Sequence, residues 1–283
     1  MNLCNMREIK LLLQRHGFHF SKSMGQNFLV ADWVPCKIAE AAGIEENCGV
    51  LEIGPGIGPL TRQLAIRSNK VVAIELDQAL LPVLAETLSE FTNVEIISGD
   101  AMKMDLSALA ADQLRGLQPL VCANLPYNIT TPILTKLLEA NCFSSITVMI
   151  QREVARRICA APGSSDYGSF SVFCQYYADC EILFDVGPEC FLPAPKVTSS
   201  VLRMRPLQTP PVEVEDPDAF FSLVHAAFAQ RRKTLLNGLC SAYGNHFSKE
   251  ELRSILSANG LPENIRGERL SLAQFANLAK CLK

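Results

Sequence analysis

This 283-residue sequence lacks the features that mark several common protein classes. It has no run of 18 or more apolar residues, so no membrane-spanning helix is expected. It has four histidines and 11 cysteines, but no CxxC pair, which leaves no zinc-type ligand spacing and no expected metal. Scattered through apolar stretches, the cysteines read as small core residues of a reducing compartment. Positive charge is not in excess. The 26 Lys and Arg are outnumbered by 29 Asp and Glu, so the chain is not a generally basic nucleic-acid binder, and any such contact must come from a local patch. The N-terminal stretch MNLCNMREIKLLLQRHG is too charged for a secretory signal, and a cytoplasmic location is expected. Internal repeats and low-complexity segments are absent.

What is present is a 48% hydrophobic chain, enough for one large domain and a smaller one. Short apolar runs alternate with helical spacing. Strands are expected at 48–54, 70–76, 94–99, 120–123 and 145–150, with a closing pair at 181–186 and 196–204. Residues 205–218, RPLQTPPVEVEDPD, read as a linker. Beyond it the pattern is helical at 218–229, 231–243, 248–259 and 271–282, the last opened by a capping box of Ser271 and Gln274. The expected organisation is an α/β domain over 1–206 followed by an all-α domain over 207–283.

The first strand runs into Gly54-Pro55-Gly56-Ile57-Gly58 and then a helix, the opening of a nucleotide-binding βαβ unit. Glu75 ends the second strand about 20 residues on, where an acidic side chain can hold ribose hydroxyls. Asp100 follows the third strand, where it can accept from an adenine amine. Both acids also suit helix caps. A dinucleotide-binding dehydrogenase fits less well, because the glycines run GxGxG rather than GxGxxG.

The fourth strand ends in Asn124-Leu125-Pro126-Tyr127. The exocyclic amine of a nucleobase is a poor nucleophile, since its lone pair is delocalised into the ring. Two acceptors aimed at its N–H groups would free that lone pair. The Asn124 side-chain oxygen can be one, and the Leu125 carbonyl, exposed by the restriction Pro126 imposes, the other. Tyr127 offers a face for an extruded base. An ordinary Asn-x-Pro turn before a helix fits the same residues. Phe191, in the proline loop FLPAPK, could bring a second aromatic face to a ligand or be buried. Arg152, Arg156, Arg157 and Lys196, with the dense Arg231-Arg232-Lys233 cluster, are the candidate RNA contacts, or else a solvated face.

Together these segments resemble the small-subunit (16S) ribosomal RNA adenine N6,N6-dimethyltransferase family, in its bacterial branch. The likeness rests on GQNFL at 25–29, LEIGPGIGPLT at 51–61, IELD at 74–77, GDA at 99–101, NLPYNI at 124–129, PGSSDYGSFSV at 162–172, FLPAPKVTSSVLR at 191–203, QRRKTLLN at 230–237 and RGERLSL at 266–272. Ala194 departs from the proline common at its position. The resemblance implies a Rossmann-like class I S-adenosylmethionine-dependent methyltransferase sheet with a small helical C-terminal domain. It further implies cofactor contacts from Asn27, Leu29, Gly54, Glu75, Asp100 and Asn124, and catalysis by the NLPY turn. The implied reaction converts two adjacent adenosines in a hairpin near the 3′ end of small-subunit rRNA to N6,N6-dimethyladenosine. Leu125 stands where mono-methylating relatives often have proline, which implies a dimethyl product. The expected partner is the rRNA of an assembling 30S particle, and the expected state a monomer. Related alternatives are a large-subunit methylase of the erythromycin-resistance type and a non-catalytic assembly factor.

Overall fold

The computed structural model describes residues 1–20, 25–230 and 232–282. The chain divides into two compact units, Met1–Ala155 with Cys180–Pro206, and Arg156–Asp179 with Leu207–Lys283.

In the first unit two short strands, β1 (Phe28–Leu29) and β8 (Phe191–Leu192), pair antiparallel. The main sheet has seven strands: β2 (Cys48–Ile53), β3 (Lys70–Glu75), β4 (Val94–Ser98), β5 (Gln118–Asn124), β6 (Ser145–Gln151), β7 (Ala178–Val186) and β9 (Ser199–Pro206). Their order is β4-β3-β2-β5-β6-β9-β7. The pairs β2–β3, β3–β4, β2–β5 and β5–β6 are parallel, whereas β9 runs antiparallel to β6. Every residue of β2 is buried, as a central parallel strand covered on both faces requires. The strand order reverses between β2 and β5, and the crevice at such a point is where open α/β sheets bind ligands.

Helices α1 (Met6–Arg15), α2 (Trp33–Ala41), α3 (Pro59–Arg67), α4 (Leu81–Thr87), α5 (Leu106–Gln113), α6 (Thr130–Glu139) and α7 (Arg152–Ile158) connect or flank the strands. Local chemistry sets their starts. The Asn5 side chain accepts from the N–H groups of Arg7 and Glu8, and Asp105 accepts from Ala108. Pro59 opens α3 at a position where its missing N–H costs nothing.

The second unit contains α8 (Ser169–Tyr177), α9 (Pro217–Phe228), α10 (Leu235–Tyr243), α11 (Lys249–Ala258) and α12 (Leu272–Cys281) around one apolar core. The helical region is larger than the expected 207–283, because 156–179 packs with it. Tyr167, Val172 and Tyr176 are buried with Phe220, Leu223 and Val224, and the Tyr176 and Phe220 rings lie 5.4 Å apart. A ring pair of this kind adds about 0.5–1.5 kcal/mol beyond its buried area. The expected helix at 231–243 begins later, at Leu235, because the Thr234 side chain caps it by accepting from Asn237 N–H. The capping box of Ser271 and Gln274 is present. No helix among the described residues is long and apolar enough to cross a membrane.

Candidate active site

A cavity of about 170 Å³ opens where β2, β3 and β5 end. Its wall includes Asn27 and Leu29, Gly54, Glu75, Asp100 and the whole Asn124–Tyr127 turn. The residues expected to hold a cofactor and the Asn124–Tyr127 turn therefore share one surface.

The glycine turn brings bare backbone to this surface. Gly54 has φ +70°, and a Cβ there would lie 3.6 Å from the Pro126 ring. Gly56 has φ +63°, and its Cβ would come within 3.3 Å of the Phe28 ring. A side chain at either position would be strained and would narrow the cradle.

Glu75 is 6% exposed. Its Oε1 accepts from Asp77 N–H at 2.8 Å and its Oε2 from Gly56 N–H at 3.2 Å. Burial pushes its pKa up, and these two N–H groups oppose that shift. A carboxylate has about four acceptor sites, so capacity remains for ligand hydroxyls. Capping of the following 3-10 turn falls instead to Asp77, which accepts from Ala79 N–H. Asp77 also accepts from Gln26 Nε2 at 2.7 Å, tying the 25–29 segment to the end of β3. Asp100 accepts from Met102 N–H at 2.9 Å, which fixes its carboxyl on the wall.

At the end of β5, Leu125 anchors the turn. Its side chain is 1% exposed and its N–H donates to the Met149 carbonyl at 3.1 Å. The Asn124 Nδ2 donates to the Asn27 carbonyl at 3.4 Å, so the amide oxygen is the atom left for a ligand. The bonds that open the next helix, from Ile129 N–H and Thr130 Oγ1, fall on the Pro126 carbonyl rather than on that of Leu125. Half-buried Tyr127 is tethered by a 2.7 Å bond between its hydroxyl and Ser199 Oγ. Burial raises the tyrosine pKa and the Ser199 bond opposes the rise.

Phe191 does not fill the expected stacking role in this arrangement. It is 3% exposed, packs in the core cluster with Leu29, Val34 and Val201, and is absent from the cavity wall. Its pairing opposite Leu29 draws the ring inward. The candidate RNA-binding cations are divided between the two units. Arg152 and Lys196 belong to the first unit, and Arg152 lies 3.5 Å from the Asp185 carboxylate. Exposed Arg156, Arg157, Arg232 and Lys233 belong to the second. Arg232 and Lys233 precede α10 rather than starting it. Arg231 lies outside the described residues.

Three contributors were not expected from the sequence. Gln26 and Ser199 act through the hydrogen bonds already given. The third is Glu52, on the cavity wall yet 1% exposed, with no hydrogen-bond partner for its Oε2. Burial pushes its pKa up to about 8; the nearby Glu75 adds to the rise and Thr61 opposes it. The available signal was one acid inside the otherwise apolar strand CGVLEI.

The wall suits a ribonucleoside cofactor with a cationic tail. It offers carboxyl acceptors for hydroxyl and amine groups, a side-chain-free cradle, and a buried acidic oxygen lacking a partner.

Comparison with known proteins agrees with this chemistry. The family model described as ribosomal RNA adenine dimethylase matches residues 17–283. The chain is 48% identical over 276 residues to the ribosomal RNA small subunit methyltransferase A of Geobacillus thermodenitrificans, covering 96% of this chain and 94% of that protein. Among solved structures, it is similar to a dimethyladenosine transferase from Plasmodium falciparum, with TM-score 0.72 and 25% identity, over 88% of this chain and 95% of that one. It is also similar to the 23S rRNA methyltransferase ErmE, with TM-score 0.67 and 26% identity, over 90% of this chain and 99% of that one.

Proposed function

Since the chain belongs to the ribosomal RNA adenine dimethylase family, we propose that its cavity carries methyl transfer to N6 of two adjacent adenosines near the 3′ end of small-subunit rRNA, giving N6,N6-dimethyladenosine. It is an S-adenosylmethionine-dependent rRNA methyltransferase. The cofactor supplies an electrophilic methyl group. Glu75 holds the ribose hydroxyls, Asp100 accepts from the adenine amine, and Asn27, Leu29 and Gly54 complete the cradle.

The protein's contribution to the chemistry is placement. Asn124 Oδ1 and the Leu125 carbonyl accept from the N6 hydrogens of the target base, drawing the nitrogen toward a tetrahedral form with its lone pair directed for attack. Tyr127, held by Ser199, gives the base a fixed face. No strong general base is required, because the methylated amine becomes acidic and its proton passes to water. Positioning and preorganised acceptors provide the acceleration. After one transfer a single N–H remains, and the base rotates to present it to the same acceptors.

The observation that supports this reading most directly is the Asn124 amide. Its nitrogen is engaged by Asn27, so its oxygen remains for the base. The substrate in this proposal is the assembling small subunit in the cytoplasm, met by a monomer through the cations of the helical unit. The test is transfer of labelled methyl to small subunits from a strain lacking the modification, followed by nucleoside mass spectrometry. The expected product is N6,N6-dimethyladenosine in small-subunit rRNA. Product that stops at N6-methyladenosine under saturating cofactor overturns the dimethyl assignment. Label confined to large-subunit RNA moves the chain to the large-subunit methylases.

A further inference from the structure

Glu52 has no task in the mechanism above, and its surroundings are unusual. It lies on the β2 strand, 1% exposed, with Oε2 unpartnered on the cavity wall. The fully buried Thr61 beside it is the only group that opposes the upward shift of its carboxyl. The titratable groups around it are Glu75 from β3 and the thiol of Cys122 from β5, both acids, and no cation of the described residues helps to hold it ionised. An acid placed this way accepts a negative charge readily only when a positive charge arrives beside it.

The sheet order indicates which charge that is. From the edge inward, the strand ends present Asp100 after β4, Glu75 on β3, Glu52 and Gly54 on and after β2, and Asn124 on β5. In the proposed reading the adenine end of the cofactor lies at β4, the ribose at β3, and the methyl acceptor at β5. The chemical group joining ribose to the transferred methyl is the positively charged sulfonium. We propose that Glu52 is the counter-charge for this sulfonium, gives up one proton when S-adenosylmethionine binds, and takes one back when transfer leaves the neutral thioether. The charges balance: binding releases a proton from Glu52, transfer removes the sulfonium charge, and Glu52 recovers a proton from solvent. The net proton of the reaction still comes from the N6 amine. The side chain thereby discriminates between cofactor and by-product, and weakens the grip on the latter once the reaction is done. Burial, with Glu75 alongside, pushes this carboxyl well above the usual carboxylate range and so favours its neutral form before a positive charge arrives.

This inference rests on the cofactor reading, and its test separates the two. Isothermal titration of the whole protein with S-adenosylmethionine and with S-adenosylhomocysteine, at pH 7 in phosphate and in Tris, reads both affinity and protons released. Measurements at pH 6 and 7 stay below titration of a free α-amino group. Wild-type protein is expected to release close to one proton per S-adenosylmethionine, with affinity rising roughly tenfold from pH 6 to 7. With S-adenosylhomocysteine, release is expected to be near zero and affinity flat. Glu52→Gln, nearly isosteric and unable to ionise, should remove the release and bring the two affinities closer. Tight binding of both ligands with equal proton release in the wild type overturns the Glu52 role while leaving the cofactor reading intact. A Glu52→Gln protein that still releases the proton does the same. Failure of S-adenosylmethionine to bind removes both readings. The wild-type comparison decides the matter even if the variant does not fold.

Discussion

The two units of the chain carry their polar groups in different ways. In the sheet unit, polar groups converge on one cavity and are locked before any ligand arrives: Glu75 by two N–H groups, Asn124 by Asn27, and Tyr127 by Ser199. In the helical unit the interior is apolar and the candidate RNA-binding cations Arg232 and Lys233 stand exposed. A small cofactor rewards fixed geometry, because misplacement of even one group lowers the rate. A large polyanion rewards charge, because each phosphate contact releases counterions and tolerates adjustment. In the proposed reading the sheet unit serves precision and the helical unit attraction.

Substitutions can break this contrast, beginning with the largest effect. Asn124→Ala removes a locked acceptor and should lower the methyl-transfer rate by about 10²–10³, the loss typical of one preorganised transition-state contact. S-adenosylmethionine affinity should change far less. Single-turnover rates alongside calorimetry check the split, and wild-type turnover would take Asn124 out of the chemistry. Glu75→Ala should leave a folded protein with cofactor affinity about tenfold to hundredfold weaker, the equivalent of about 1.5–3 kcal/mol for a charged hydrogen bond. Unchanged affinity in the variant would assign ribose binding elsewhere. The smallest effect in dilute salt should come from the helical unit. Neutralising Arg231, Arg232 and Lys233 together should flatten the salt dependence of particle binding by up to about 0.7–0.9 in log–log slope for each phosphate left without its cation. Cofactor binding should not change. If the triple variant docks with the wild-type slope, attraction comes from other cations and the contrast between the units loses its support.

The sheet was legible because its strands are buried on both faces and read as short apolar runs. Cys48–Ile53 and Ser145–Gln151 fall within a residue of their expected positions. The glycine turn, Glu75, Asp100 and NLPY were legible because the ends of such strands gather ligand groups. Packing decisions were harder to read. The helix Ser169–Tyr177 has ordinary helical spacing, and only its contacts with Phe220 and Phe221 assign it to the second unit. The late start of α10 depends on a threonine cap inside an already helical pattern. Phe191 could equally have faced a ligand or the core, and pairing with Leu29, distant in sequence, decided it. Glu52 stood in plain view, but periodicity carries no information about an unpartnered oxygen.

The pairing of Phe28–Leu29 with Phe191–Leu192 also sets an order in time. A chain emerging from the ribosome presents its amino end first. Strands β2 to β6, with the glycine turn, Glu75 and Asn124, are all synthesised while the partner of β1 is still to come. The Asn27 carbonyl that orients Asn124 sits one residue before β1, so that contact gains its support only after Leu192 has been made. A fragment ending before Phe191 therefore holds the glycine turn, Glu75 and Asn124 but not the strand that pairs with Phe28–Leu29.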